Sequence, residues 1–241
     1  MQNYNKTYST IAEMNARYQV FKDNLKKSLN ENTTSDLFDA GITPFSDMTD
    51  QEFQQTFTNL KITLTDVIEA QTMAEISESE NEGRHLQNLP SYLDWRQKGA
   101  VTEIDQQGSC ASCWSFGIVA NLEGQYYLKY GRLIRFSEQY LLNCNSYGYG
   151  CEGGFFANVF RWLMTSDGLR RLSDMPYLGY KARCAVANIP AVARVSGYIH
   201  ISDDEDTIMY ELNRRGPLLA ALNANRLKFY TKGILVSGDD V

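Results

Sequence analysis

The sequence predicts an α+β protein, helical in its N-terminal third and mixed in the remainder, and three observations lead there. Apolar residues recur at helical spacing after Thr10, after Ser112, after Ser137 and from about Asp203. Runs that read as strands come only late, at 195–201, 218–222 and 230–236. Between them all five cysteines crowd into the stretch from Cys110 to Cys184.

A chain of 241 residues suits one or two domains, and 43 % hydrophobic residues is ordinary for a globular protein. No run approaches the roughly 18 apolar residues of a membrane span, so a soluble protein is expected. The net charge of -6 is unevenly spread: residues 1–87 carry 7 Lys and Arg against 14 Asp and Glu, whereas residues 88–241 carry 16 against 15. Nothing basic enough for a nucleic-acid face remains.

Taking the elements in order, Thr10 with Glu13 three residues on reads as a capping box. Met14, Tyr18, Phe21, Leu25 and Leu29 then mark one face of a helix ending near Asn30. From Lys61 to Asn88 the pattern dissolves into Glu75, Glu78, Glu80 and Glu82 among Ser, Thr, Gln and Asn, the composition of a protease-accessible linker. His85 falls inside it. Met1 is followed by no apolar stretch of the kind a signal peptide needs, while Asn5-Lys6-Thr7 and Asn32-Thr33-Thr34 are glycosylation sequons suited to a secreted chain.

The chemistry concentrates in Gln107-Gly108-Ser109-Cys110-Ala111-Ser112-Cys113-Trp114-Ser115-Phe116-Gly117. From Ser112 the apolar spacing of Trp114, Phe116, Ile118, Val119 and Leu122 runs as a helix to about Tyr130, stopped by Gly131, which puts Cys113 in the first turn. Unpaired N–H groups and the helix dipole there favour a thiolate, making Cys113 a candidate nucleophile. Gln107, six residues upstream, can place its amide beside the Cys113 N–H, and two such donors are what a tetrahedral oxyanion requires.

A redox reading of Cys110-x-x-Cys113 would need a thioredoxin-like strand before the helix. A zinc site would need a second ligand pair, and the histidines are only His85 and His200. No metal or cofactor is expected. Five cysteines with one singled out leave four, suggesting two disulfides and an oxidising compartment; sequence alone allows three pairings.

Further on, Ser137 caps a short helix reaching Cys144. After Cys151, Gly153-Gly154 could let an extended peptide pair with the main chain, because no side chain keeps it away. Val195–Ile201 reads as a strand with His200 at a surface or half-buried place, the helix from Asp203 runs up to Gly216-Pro217, Leu218–Leu222 reads as the next strand, and Tyr230–Val236 as a hairpin arm.

Gln107, Cys113 and Trp114, with Cys110-Ala111-Ser112 before the nucleophile, resemble the active-site segment of papain-like cysteine proteases; Ala111 stands where Gly is usual. Pro90, Asp94, Trp95 and Arg96 resemble the start of the mature enzyme, and Ser137-Glu138-Gln139 with Leu141 and Cys144 match a further family segment. In the N-terminal third, Glu13, Arg17, Phe21, Asn24 and Asn32 match the Glu-Arg-Phe-Asn-Ile-Asn pattern of cathepsin L-like propeptides, with Ser28 at the Ile place. Gly41, Phe45 and Asp47 match that propeptide's second motif, with Thr43 at the Asn place.

The resemblance implies a papain-like two-domain fold, with a helical left domain, an incomplete β-barrel right domain and a helical propeptide in front. Its boundaries would be 1–60 for an inhibitory propeptide lacking most of its opening helix, 61–87 for the acidic linker, 88–197 for the left domain and 198–241 for the start of the right domain. It pairs Cys110 with Cys151 and Cys144 with Cys184, each loop of about 40 residues worth up to about 4 kcal/mol. Maturation cleavage would fall between about Gly83 and Pro90.

It also implies an endopeptidase zymogen in which Cys113 attacks the scissile carbonyl, Gln107 holds the oxyanion and Gly153 and Gly154 bind the substrate backbone. Phe155, Phe156 and Ala221 would line an apolar S2 pocket preferring Leu, Val or Phe at P2, with Trp114 beneath the site. Implied partners are peptide or protein substrates, the chain's own propeptide and cystatin-type inhibitors, with a monomer in a lysosome, a vacuole or outside the cell, and no nucleic acid or membrane.

The family's catalytic His and Asn follow later than Val241, which lies 128 residues after Cys113. An unassisted thiol of pKa about 8.5 is roughly 0.03 % thiolate at pH 5, so the chain as written is expected to be inert. With under half of a barrel in 198–241, it is also expected to be prone to aggregation. The rival reading is a pseudoprotease or a propeptide-type inhibitor of related enzymes, for which residues 13–47 would suffice.

Overall fold

The computed structural model describes residues 4–34, 38–57, 89–148 and 150–234, excluding the side chains of 32–34. The linker at 61–88, His85, the sequon at Asn32 and the end of the expected hairpin arm lie outside the described residues. Contacts divide the chain into two units, one of residues 1–58 and 221–241 and one of 59–220.

The first unit is built on α1 (Ile11–Thr34), β1 (Phe38–Ala40), α2 (Asp50–Phe57) and, from the far end of the sequence, β2 (Tyr230–Gly233). Helix α1 starts where the capping box puts it: Thr10 Oγ1 accepts from the Glu13 N–H at 3.1 Å, while the Glu13 carboxylate reaches back to the Ser9 N–H at 2.8 Å. It runs four residues beyond Asn30, to Thr34.

Its buried face is not the apolar stripe. Met14, Tyr18 and Leu29 are exposed, whereas Asn24 and Ser28 are 3 % and 2 % exposed. The reason is hydrogen bonding. Asn24 Nδ2 donates to the carbonyls of Ser46 (2.9 Å) and Met48 (2.7 Å), and Arg17 Nη1 reaches the Asp47 carbonyl (3.2 Å) and Glu52 (2.7 Å). These bonds satisfy the backbone of a turn that would otherwise bury unpaired carbonyls.

Helix α2 carries a complete capping box of its own. Thr49 Oγ1 accepts from the Glu52 N–H at 3.1 Å and Glu52 accepts from the Thr49 N–H at 2.8 Å. Arg17 beside Glu52 holds its carboxyl down at about 2. Phe45, Phe53 and Phe57 cluster with their rings tilted or edge-on to one another, centroids 4.9–5.3 Å apart.

Strand β2 starts at Tyr230, where the expected hairpin arm does. Its partner is β1, antiparallel, with Phe38 opposite Gly233 and a bulge after Asp39. Phe38, Ala40 and Phe229 bury the small core beneath.

The second unit is organised by α3 (Cys113–Tyr130), closed at Gly131 in the left-handed conformation. Around it pack α4 (Glu138–Cys144), α5 (Phe156–Thr165) and α6 (Glu205–Arg215). Ser137 caps α4 by accepting from the Tyr140 N–H at 3.0 Å, and Asp204 caps α6 by accepting from the Thr207 N–H at 2.8 Å. The core holds Trp114, Ile118, Phe136, Leu141, Val159 and Leu163, all at most 1 % exposed.

Neither 195–201 nor 218–222 forms a strand. Only isolated bridges, Phe136 with Arg171 and Leu169 with Ala193, stand outside the β1–β2 pair among the described residues. A strand exists only with a partner, and these two runs find none there. The 212–219 stretch packs on α3 instead: Asn121 donates to the Pro217 carbonyl at 2.8 Å, and Trp95 Nε1 donates to that of Leu212 at 3.0 Å. Among the described residues no helix is long and apolar enough to cross a membrane.

Candidate active site

Cys113 opens α3 as its first residue, is exposed and lies outside the disulfides. The other four form Cys110–Cys151 and Cys144–Cys184. The first of these ties the loop before α3 to the loop before α5, and the Ala111 N–H adds a bond to the Cys151 carbonyl at 3.1 Å. Cys113 is therefore stapled beside Gly153 and Gly154.

Protein atoms crowd the Cys113 sulfur enough that burial pushes its pKa above the ordinary thiol value, while the backbone N–H groups of Trp114 and Cys113 pull it down. Burial wins. The expectation of a thiolate favoured by the helix terminus is corrected: two backbone donors act as foreseen, but desolvation of the anion outweighs them.

Gln107 is fixed through its main chain. The Tyr177 hydroxyl donates to the Gln107 carbonyl at 2.8 Å and lies 2.6 Å from Ser112 Oγ, one residue before the nucleophile. Ser112 Oγ also has the Cys110 carbonyl at 3.3 Å, so either hydroxyl can donate in the short bond. The Tyr177 ring meets Phe116 edge-on at 4.9 Å. Gln107 Nε2 is left buried with no acceptor among the described residues, a donor held ready.

Gly153 has φ of 112°, and both glycines are buried. A Cβ on Gly154 would stand 2.7 Å from the Trp114 indole, so this loop lies directly on that ring. Trp114 is 1 % exposed and its Nε1 donates to the Gly150 carbonyl at 3.1 Å, which leaves it as the floor of the loop with no surface for a substrate. Phe155 and Phe156 stand half-buried with parallel rings 6.3 Å apart. Ala221 is exposed and falls in the other unit. His200 is half-buried, and burial lowers its pKa.

The support beneath α3 carries two acids that periodicity did not flag. Glu123, 1 % exposed, accepts from the Phe136 N–H at 2.8 Å and from Thr102 Oγ1 at 2.5 Å, beside the Arg135–Asp105 pair. Glu138 at the start of α4 is 3 % exposed, and burial raises its pKa to about 7. Tyr177 gave no signal either, since nothing local marks a tyrosine that will bridge residues 70 and 65 positions away. Among the described residues no cluster of three or more His, Cys, Asp or Glu could hold a metal ion.

A non-disulfide cysteine at a helix terminus, beside a glycine loop and preceded in sequence by a helical segment, suits a thiol-nucleophile zymogen, and comparison with known proteins supplies the family. The chain belongs to the papain family of cysteine proteases, whose model matches residues 89–240, and the cathepsin propeptide inhibitor domain (I29) matches residues 1–53.

Cysteine proteinase 15A of Pisum sativum is 37 % identical over 240 residues, covering 96 % of this chain and 64 % of that protein. A probable cysteine protease of Arabidopsis thaliana, RD19C, is 36 % identical over 242 residues, covering 96 % and 63 %. The chain thus spans a little under two thirds of the length of these relatives. Among solved structures, a recombinant stem bromelain precursor superposes with a TM-score of 0.78 at 28 % identity, covering 97 % of this chain and 74 % of that one. The digestive procathepsin L2 of Tenebrio molitor shares the fold with a TM-score of 0.85 at 24 % identity, covering 99 % and 78 %.

Proposed function

We propose that the chain is the zymogen portion of a cysteine endopeptidase in which Cys113 is the nucleophile and residues 1–60 restrain it. The observation that carries this is the pairing of an exposed, non-disulfide Cys113 at the head of α3 with a buried amide on Gln107, both held by the Tyr177–Ser112 bridge. In the reaction the thiolate adds to the scissile carbonyl. The Gln107 amide and the Cys113 N–H hold the resulting oxyanion; its collapse breaks the C–N bond and the amine leaves with a proton, and water then hydrolyses the thioester to free the acid and the thiol.

Gly153 and Gly154 bind the substrate main chain, and Phe155 and Phe156 favour an apolar P2 side chain. The raised thiol pKa suits a resting form, in which the nucleophile is kept protonated. Cleavage between about Gly83 and Pro90 frees the mature part, and a lysosomal, vacuolar or extracellular setting agrees with two disulfides. Cystatin-type inhibitors and a monomeric state go with the same reading.

The test is labelling of the chain by two peptidyl chloromethyl ketones that differ only in Leu or Asp at P2, with Cys113→Ala as control. Selective labelling of Cys113 by the Leu reagent supports the reading. Equal rates, or labelling that survives the Ala substitution, overturn it.

A further inference from the structure

Segment 221–234 closes on the helical unit around one unusual group, the side chain of Lys228, which is 2 % exposed. Its Nζ lies 2.8 Å from Asp50 Oδ1 and 3.3 Å from Asn24 Oδ1. The main chain on either side is spoken for: the Lys228 carbonyl accepts from Thr43 Oγ1 at 2.6 Å, and the Phe229 carbonyl from the Gly41 N–H at 2.8 Å. The ammonium therefore cannot swing out to water without undoing the β1–β2 register. Asn24 offers only a neutral oxygen, so neutralisation of this cation falls to Asp50, the first residue of α2, which also bonds Lys27 at 2.6 Å.

A buried cation whose one charged partner sits on the opposing element makes an asymmetric contact. Breaking such a pair leaves an uncompensated buried charge, which costs far more than the intact pair contributes, whereas removing both charges can be neutral. Asp50 by contrast is half-exposed and keeps Lys27, so it tolerates loss of Lys228.

We propose that Lys228 is a selectivity determinant of this docking surface: segment 221–234 accepts a helical module that presents a carboxylate at the place of Asp50 and rejects one that presents a neutral residue there. The discrimination works by penalty, against the wrong module, more than by attraction to the right one. The partner is thus defined chemically, as a helical module of this type with an acid at the first position of its second helix, supplied by this chain or by a related one. The inference rests on residues 1–60 acting as the inhibitory module.

The test uses the full chain and amide hydrogen exchange at Gly41, whose N–H bridges the two elements, with Val119 in α3 as an internal reference. Asp50→Asn should lower protection at Gly41 about tenfold or more without touching Val119. Asp50→Glu should keep it within about threefold. In the double variant Asp50→Asn/Lys228→Met, protection should return to near the parent value, although the acid favoured at the helix start is still missing.

An unchanged Asp50→Asn variant, or a double variant as open as Asp50→Asn, overturns the proposal. Loss of Val119 protection as well would mean global unfolding; Lys228→Met alone then decides, since the proposal requires it to stay closed. The rate of Cys113 alkylation in the same samples reads the inhibitory role separately. If Gly41 opens and closes as stated while that rate stays constant, the selectivity stands and the inhibitory reading falls.

Discussion

The hydroxyl of Tyr177 donates to the carbonyl of Gln107 at 2.8 Å and, through Ser112 at 2.6 Å, reaches the residue next to Cys113. One phenol oxygen thereby couples the two strands of chain from which the oxyanion donors and the nucleophile come. Removing it should loosen both. Tyr177→Phe keeps the ring against Phe116 but strands a carbonyl and a hydroxyl, and should lower stability by about 1–3 kcal/mol. A denaturation midpoint that falls at unchanged m-value would show this; an unshifted midpoint would mean that water replaces the phenol without loss.

Gly154→Ala should be felt directly by Trp114. The new methyl carbon would sit 2.7 Å from the indole, and neither the ring, buried to 1 %, nor the loop has slack. A cost of about 1–3 kcal/mol is expected, as in other overpacked cores. It should come with a change in near-ultraviolet circular dichroism from the displaced indole.

Acid should act oppositely on the contributions of Glu52 and Glu138. The Glu52 carboxyl has a folded pKa of about 2, below its ordinary 4.5, so its contribution is present above pH 4.5 and is lost as pH falls from there through 2. Asp47 and Asp50 are shifted the same way: Lys6 and Tyr8 outweigh the burial of Asp47, and Lys228 and Lys27 act on Asp50.

Glu138 runs the other way. Its folded pKa of about 7 lies above the ordinary 4.5, so its stabilisation is complete below pH 4.5 and disappears as pH rises through 7. Glu138→Gln should flatten the melting temperature of the second unit between pH 4.5 and 7 and leave the first unit's acid response intact. Calorimetric scans across that range would resolve the two.

Alkylation of Cys113 by iodoacetamide should climb only on the alkaline side of the ordinary thiol range, because burial holds its pKa up and the thiolate fraction grows only as pH rises through it. A rate already at plateau near pH 5 would mean that a cationic partner has been brought to the sulfur.

Where a helix carries its own start and stop signals, as α3 does with Gly131, α4 with Ser137 and α6 with Asp204, the sequence alone placed it well. The motif around Cys113 was legible for the same local reason. The disulfide pairing was not, since spacing left three choices and only the resemblance picked one.

Three features escaped because they depend on partners far along the chain. The buried face of α1 is polar, with Asn24 and Arg17 serving the backbone at 46–48, so apolar periodicity pointed to the wrong side. The expected strands at 195–201 and 218–222 had β-favouring residues but no neighbour to pair with among the described residues. Tyr177 acquires its role from contacts that no window of sequence contains.

The pairing of Phe38–Ala40 with Tyr230–Gly233 sets a timetable for the nascent chain. At about 5–20 residues per second, β1 is synthesised roughly 10–40 s before its partner strand exists. During that interval Phe38 and Ala40, buried in the finished molecule, have nothing to cover them, and Asp50 has no Lys228. The helical segment is made well before the strand that completes its small core, so its early history is one of exposed apolar surface in need of shelter.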